Sequence, residues 1–308
     1  MSVLFIAIQL ILVPALSPLF IGVTRKIKAR FQNRLGASVF QPYQDLWKLF
    51  HKDEIISEDA SWIFRFAPYL IFAVTLVVGA SIPFFTGLFP GNIIGDFLTI
   101  VYLIALSTFF LALAGMDTGG AFGGFGSSRE MTVAALTEGG LIFSLLALAL
   151  VAHSTNLFSI TSAVSQLPLG LFAPVALAFL AYVIAMLAET ARFPFDNPST
   201  HLELTMIHEA MILEYSGKRL ALIEWAAANK FLIFLSLGAN LFFPWGLATS
   251  FSGAALFIAL MLFLIKTLLL CLFVATLESS IAKFRFFRLP DLLFTSFILG
   301  VIAIILIA

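Results

Sequence analysis

Eight continuous apolar runs, each long enough to cross a bilayer, constrain this chain more than any other feature. They fall at about 2–24, 67–89, 97–116, 131–153, 172–190, 230–250, 253–277 and 291–308. A helix needs roughly 20 apolar residues to cross a hydrocarbon core about 30 Å thick. The runs are continuous and do not alternate, which excludes a transmembrane β-barrel. The first run is longer than a signal-peptide core and has no basic segment before it, so it reads as a mature span. Composition agrees: 61% of the 308 residues are hydrophobic and 11% are charged. A soluble fold of this size could not bury so much apolar surface. The expected fold class is an all-α polytopic membrane protein. It has about eight transmembrane helices and forms a single integral membrane domain over residues 1–308.

The basic residues set an orientation. The segments after runs 1, 3, 5 and 7 (25–66, 117–130, 190–229 and 278–290) hold Lys and Arg, whereas those after runs 2, 4 and 6 hold none. By the positive-inside rule the first set is cytoplasmic and both termini are outside. The two long segments, 25–66 and 190–229, then place the working surface in the cytoplasm. Equal numbers of acidic and basic residues, 17 each, name no partner by charge, and nucleic acid is not expected. A single cysteine rules out an iron–sulfur cluster or a zinc site held by cysteines within the chain.

Residues 41–51 read as a short amphipathic surface helix. Pro42 suits its first turn, and Tyr43, Leu46, Trp47 and Phe50 share one apolar face with Asp45 and Lys48 opposite. It either anchors the segment in the interface, flanks a way in for a lipid-soluble ligand or seats a soluble partner. The glycine-rich stretch 117–130 does not match a dinucleotide fingerprint. It reads as backbone that passes close to another helix or a ligand, with Ser127 or Ser128 capping the next span.

Charges at membrane depth are costly and so mark function. Glu138 is expected about two turns inside the fourth run, and Lys266 near the middle of the seventh. They are candidates for an ion pair or a proton relay. Glu189, Glu224 and Glu278 stand at span ends. Segment 189–230 holds six carboxylates, Glu189, Asp196, Glu203, Glu209, Glu214 and Glu224, with His201 and His208. Carboxylates crowded beside lipid are pushed toward neutral pKa and can exchange protons. His201 and His208 are seven apart, one helical face. A metal site there is the less economical reading, since the spacing matches no zinc signature.

Several motifs resemble the membrane-anchor subunit of respiratory complex I (NADH dehydrogenase subunit 1) and its relatives in membrane-bound [NiFe] hydrogenases. They are Glu189-x-x-Arg192-x-Pro194-Phe195-Asp196, Glu203-Leu204, Glu214-Tyr215-Ser216-Gly217, Asn33-Arg34-x-Gly36 and Gln41 with Asp45-x-x-Lys48-Leu49. Asp117-Thr-Gly, Gly126-x-Ser128-Arg129-Glu130 and the run from Glu278 to Arg285 look like the formate hydrogenlyase and energy-converting hydrogenase branch. Where the family usually carries acids upstream of Glu203, this chain has Ser199 and His201.

The resemblance implies an anchor for a soluble arm in an ion-translocating redox complex. Partners would be hydrogenase-like large and small subunits, a ferredoxin-like subunit, antiporter-like membrane subunits and the lipid bilayer. Iron–sulfur clusters and [NiFe] would sit in those partners, with no cofactor or metal in this chain and no catalysis by it alone. Glu138, Lys266, Glu189, Asp196, Glu203, Glu214, Glu224 and Glu278 would relay protons or couple. Arg25, Arg34, Asp45, Lys48, Arg129, Arg192, Lys218 and Arg219 would dock partners. The alternative is the quinone-chamber subunit of a complex I-type enzyme, marked by a roomy channel between span 1 and helix 41–51. A stand-alone transporter should show paired repeats, and none is visible. A passive anchor would leave Glu138 and Lys266 unexplained.

Overall fold

The computed structural model describes residues 2–86, 95–196, 206–248, 250, 252–282 and 284–308, with side chains from Ala7 onward. In chain order the helices are α1 (Ser2–Phe31), α2 (Gln41–Phe50), α3 (Trp62–Ser81), α4 (Phe97–Asp117), α5 (Ala121–Ala152), α6 (Leu157–Ser165), α7 (Phe172–Glu189), α8 (His208–Ile212), α9 (Gly217–Leu237), α10 (Gly253–Ser280) and α11 (Leu289–Ile307). A π-helical turn, Gly238–Phe242, continues α9. Eight of these helices are long and apolar enough to cross a membrane. No strand occurs among the described residues. The chain is an all-α, multi-pass membrane protein, as the apolar runs predict.

Several boundaries differ from the sequence reading, and a helix is added. Helix α5 starts at Ala121, so most of the expected glycine loop is helical. The glycines there serve close packing. A Cβ on Gly123 would lie 2.0 Å from the carbonyl oxygen of Gly115 in α4. Ser127 therefore does not cap the span. Its hydroxyl is buried in the helix and donates to the Ala112 and Gly123 carbonyls at 2.8 Å each. Helix α9 begins at Gly217; Lys218, Arg219, Glu224 and Lys230 dilute its hydropathy and displace the apparent start. Helix α6 is an addition to the predicted elements. It folds in the connection after α5, capped by Asn156, whose side chain accepts from Phe158 N.

Helix α3 starts where two groups meet its free N–H donors. Ser61 Oγ accepts from Ile63 N at 3.1 Å, and the Asp117 carboxylate at the end of α4 accepts from Ser61 N and Phe64 N. Helices α5, α7 and α11 pack closely through small residues, the usual device where lipid supplies no hydrophobic drive. A Cβ on Gly140 would lie 2.3 Å from Ser296 Oγ, and that hydroxyl donates to the Ala181 carbonyl at 2.8 Å.

Helix α1 carries Pro14 and Pro18. Proline has no N–H, so Pro18 leaves the Pro14 carbonyl without its helical donor. Trp225 Nε1 of α9 supplies one at 2.9 Å. The Tyr43 hydroxyl of α2 donates to the adjacent Ala15 carbonyl. Below them Ser17 donates to Asn229 Oδ1 at 2.6 Å, and Asn229 Nδ2 to Thr75 Oγ1 at 3.1 Å. All three side chains are buried, so this polar link fixes α1, α3 and α9 together.

Candidate functional site: a charged cavity

The basic ends of the helices converge. Glu278 at the end of α10 is paired with Lys28 of α1 at 3.3 Å and Arg192 after α7 at 2.9 Å. Arg219 of α9 pairs with Glu54 at 2.5 Å and donates to the Arg65 carbonyl at the start of α3. Tyr215 stacks on Phe64, with ring centroids 3.9 Å apart, and donates to its carbonyl. These contacts define one charged end of the bundle.

Behind that end lies a cavity of ≈ 1070 Å³. Helix α1 contributes Pro18, Thr24 and Arg25, and α2 contributes Pro42, Asp45, Leu46 and Leu49. The cavity thus borders both span 1 and the surface helix, the place where the quinone alternative expects a channel. The α2 face turned to it differs from the expected one. Asp45 lines the cavity, and Trp47 points outward, 69% exposed, against His51. The reason is the neighbour: Phe50 packs edge-on to Trp225 and Tyr43 reaches α1, which turns Trp47 away.

The polar wall holds Glu130, Glu189, Asp196, His208, Glu209, Glu224, Lys230 and Glu278, drawn from α5, α7, α8, α9, α10 and the segment after α7. Lys230 Nζ is 2.7 Å from Glu189, whose side chain is 7% exposed, and also donates to Thr108 Oγ1. Asp196 is buried. Its carboxylate accepts from Ile207 N and His208 N, and so holds the start of α8. Burial lowers the His208 pKa to about 4, with Lys230 pushing the same way and Asp196 opposing, so the imidazole is neutral near pH 7. Burial raises the Glu209 pKa to about 7, helped by Glu224 and Asp196 and opposed by Arg25. Glu209 thus exchanges a proton close to neutral pH.

The other predicted residues are spread more widely. Glu138 lies in the middle of the 32-residue α5, not two turns inside its span. Lys266 does not pair with it: α10 packs on α1 and α9, while α5 packs on α4, α7 and α11. Lys266 Nζ donates instead to Asn240 Oδ1 at 2.6 Å and to the Phe243 carbonyl at 3.0 Å, at the broken end of α9. Asn240 Nδ2 in turn donates to the Pro83 and Phe84 carbonyls at 2.7 Å each. Glu214 is exposed, beside Gly120.

Among the docking candidates, Arg25, Arg34 and Arg192 line the cavity. Arg192 is also committed to Glu278, and its guanidinium lies 3.6 Å over the Phe231 ring. Arg129 donates to the Met206 carbonyl and covers Phe125. Lys48 and Lys218 are exposed. His201 and Glu203 lie outside the described residues, as does the Ser199 departure. Among the described residues no three His, Cys, Asp or Glu side chains are grouped to share a metal ion.

Sequence reasoning misses Lys230 and Glu130 as site residues. By hydropathy Lys230 is the edge of a span. Measured from Gly217 it is about 20 Å along the helix, at 1.5 Å per residue. Glu130 reads as loop, yet it faces the cavity from within α5.

The fold and cavity define a multi-pass membrane protein with a charged internal chamber at one end. The family model described as NADH dehydrogenase matches residues 3–308, and the chain belongs to that family. Formate hydrogenlyase subunit 4 of Escherichia coli K12 is 35% identical over 297 residues, covering 96% of each chain. Hydrogenase-4 component C of the same organism is 37% identical over 303 residues, 98% of this chain and 94% of that one. An NADH-quinone oxidoreductase subunit of Solibacter usitatus is 30% identical over 257 residues, 80% of this chain and 64% of that one. A chain of the archaeal membrane-bound sulfane sulfur reductase, a respiratory membrane complex, superposes with a TM-score of 0.85 over 100% of this chain and 99% of that one, at 20% identity. This chain is a complex I-like membrane subunit, similar over nearly its whole length to components of hydrogenase-type complexes.

Proposed function

We propose that this chain is the membrane-anchor subunit of an ion-translocating, hydrogenase-type redox complex in a prokaryotic cytoplasmic membrane, with its charged end in the cytoplasm. Hydrogenase-like large and small subunits and a ferredoxin-like subunit, carrying the iron–sulfur clusters and the [NiFe] centre, dock on that end. Antiporter-like subunits lie alongside in the bilayer. The chain holds no redox group of its own and is not catalytic alone. The observation that carries this reading is the cavity wall. Glu130, Glu189, Glu209 and Glu224 share one cavity wall with the Lys230 ammonium, which pairs with Glu189, and charges held beside lipid are costly.

Such a set can answer a charge appearing at the docked arm. Proton uptake at Glu209, which titrates near neutral pH, would change the field on Glu224. Movement of Lys230 away from Glu189 would free that carboxylate to accept a proton. Glu138, further along α5, would receive the next step. Lys48 and Lys218 are docking cations exposed at the surface, as are Arg25 and Arg34 at the rim of the cavity. Purification through a tag on this chain, with subunit and metal analysis, tests the assembly. Co-purifying nickel, iron and a hydrogenase-like large subunit support it, and a chain that comes down alone refutes it. Glu189→Gln in the assembled complex should keep electron transfer and lose ion movement.

A second reading is favoured by the size of the cavity and by its lining from both α1 and α2. A lipid-soluble quinone would fit there, with Leu46, Leu49 and Pro18 against its apolar parts. Photolabelling by a quinone analogue at these positions, blocked by excess quinone, would support this reading. Absence of labelling would leave the hydrogenase reading alone.

A further inference from the structure

A second, wholly different cavity lies on the outer surface of the bundle. It is an apolar groove of ≈ 430 Å³ between α3 and α4, lined by Phe66, Tyr69, Ala73, Val77 and Leu103, among others. Ala73 has little side chain to fill it, and Phe66, Tyr69 and Val77 stand exposed along its edge. From Phe66 to Val77 the groove runs about 16 Å along α3, at 1.5 Å per residue. The hydrocarbon core is about 30 Å thick. The groove's length therefore matches the thickness of one leaflet, which suits an acyl chain and is too short for a partner's membrane-spanning helix.

Its mouth is at the charged end. Arg65 is exposed there and enters none of the ion pairs among the described residues. The neighbouring Arg219, which donates to the Arg65 carbonyl, is already taken by Glu54. Lys218 next to it is exposed. Trp62, one turn before Phe66, is 66% exposed, and Tyr69 is half exposed. Indole and phenol at this level are the side chains that sit among headgroups. A guanidinium matches a phosphate in both charge and geometry.

We propose that this groove is a phospholipid site, with one acyl chain along Phe66–Val77 and the phosphate of an anionic headgroup at Arg65. The occupant comes from the leaflet on the charged side. It would differ from the lipid that merely covers α10 and α11, whose outward faces present scattered aliphatic side chains such as Ile265, Leu269 and Ile305.

The test uses the full chain and the intact complex, each reconstituted with phosphatidylglycerol or phosphatidylcholine carrying a photoreactive acyl chain. Adducts are mapped by peptide mass spectrometry. The expected result is phosphatidylglycerol adducts concentrated on α3 residues 66–77 and on Leu103, above those on α10 and α11. Arg65→Gln should weaken phosphatidylglycerol labelling at α3 about tenfold, the loss of a charge-assisted contact, with α10 labelling unchanged. Ala73→Trp should block labelling at α3 with either lipid. Adducts spread over all outward faces in proportion to exposure would overturn the site. Equal labelling by both lipids, unaffected by Arg65→Gln, would overturn the headgroup assignment. Labelling of α3 in the isolated chain but not in the complex would mean that a partner subunit covers the groove, and would also overturn it.

Discussion

Two lysines stand inside the bundle, and their surroundings are opposite. Lys230 on α9 faces a cavity and is held by the Glu189 carboxylate, with further carboxylates along the same wall. Lys266 on α10 meets no carboxylate among the described residues; it is held by the Asn240 amide and the Phe243 carbonyl where α9 breaks into a π turn. The first ammonium belongs to a titratable network, where its position and the protonation of its neighbours depend on one another. The second is a neutral-ligand cap. It supplies donors to the Phe243 carbonyl, at the end of a broken helix where carbonyls lack helical partners, and to the Asn240 side-chain oxygen. The same residue type at membrane depth thus marks a relay in one place and a splice in the other, and only the partners tell them apart.

The strongest way to break this contrast is to remove Lys230. Lys230→Met leaves Glu189 buried without its counter-charge, a loss of about 3–5 kcal/mol for a buried pair. We expect poor accumulation of the folded subunit. The double variant Lys230→Met with Glu189→Gln should recover most of the folded protein but not ion movement, measured in vesicles containing the assembled complex. Recovery of both would show that the pair is only structural.

Lys266→Met should have a smaller effect on stability. It strands the Asn240 and Phe243 oxygens at a cost of about 1–3 kcal/mol. It should lower the thermal midpoint of the purified subunit while leaving ion movement per assembled complex unchanged. A selective loss of ion movement would return Lys266 to the relay.

Much of the fold is legible from the sequence. Long apolar runs cannot be satisfied except by spanning helices, so their number and order follow directly from composition and length. The boundaries are not legible in this way, and the errors share one cause. Hydropathy marks where a helix meets lipid, not where it begins. Helix α9 starts with Gly217-Lys218-Arg219 and α5 with a glycine-rich stretch, so both starts read as loop. That hides Lys230 and Glu130, which face an internal cavity rather than lipid. The acidic segment after α7 is legible as chemistry, because six carboxylates in one stretch need a common environment. Their partition is not. Asp196 caps α8, Glu189 pairs with Lys230, and Glu214 is exposed. Only the packing of α4, α5 and α9 around them decides that.

A pH dependence sharpens the comparison further. Glu209 has its pKa raised to about 7 from an ordinary carboxylate value of 4.5. The folded state therefore holds this proton more tightly than the unfolded chain does. Its favourable contribution is fully present below about 4.5 and is lost as pH rises through about 7. Glu209→Gln should thus raise the thermal midpoint at pH 8 relative to wild type and change little at pH 4.5. It should also remove a carboxyl infrared band that titrates near neutral pH. His208 works in the opposite sense. With its pKa lowered to about 4, stability is lost as pH falls from about 6.5 toward 4, and His208→Gln should flatten that limb. If neither variant alters the pH profile, the cavity wall is not titratable in this range and the contrast with Lys266 weakens.

The smallest expected effect concerns a cap on the cavity side of the molecule. Trp225 donates its indole N–H to the Pro14 carbonyl that Pro18 leaves without a helical donor. Its ring also packs on Phe50 and Phe72, with centroids 6.0 and 5.1 Å away. Trp225→Phe keeps most of that packing and removes only the donor, a change of about 1 kcal/mol for a partly buried hydrogen bond. The bond crosses from α9 to the proline-interrupted part of α1, where Pro18 lines the cavity. Its loss should therefore loosen α1 locally. Hydrogen exchange should rise at the amides around residues 14–20 and stay unchanged in α5, α7 and α11, whose packing does not involve this contact. Exchange rising evenly across the bundle would show that Trp225 acts through general packing. A local rise would show that neutral capping, the role assigned to Lys266 at the far end of α9, also shapes the wall of the charged cavity.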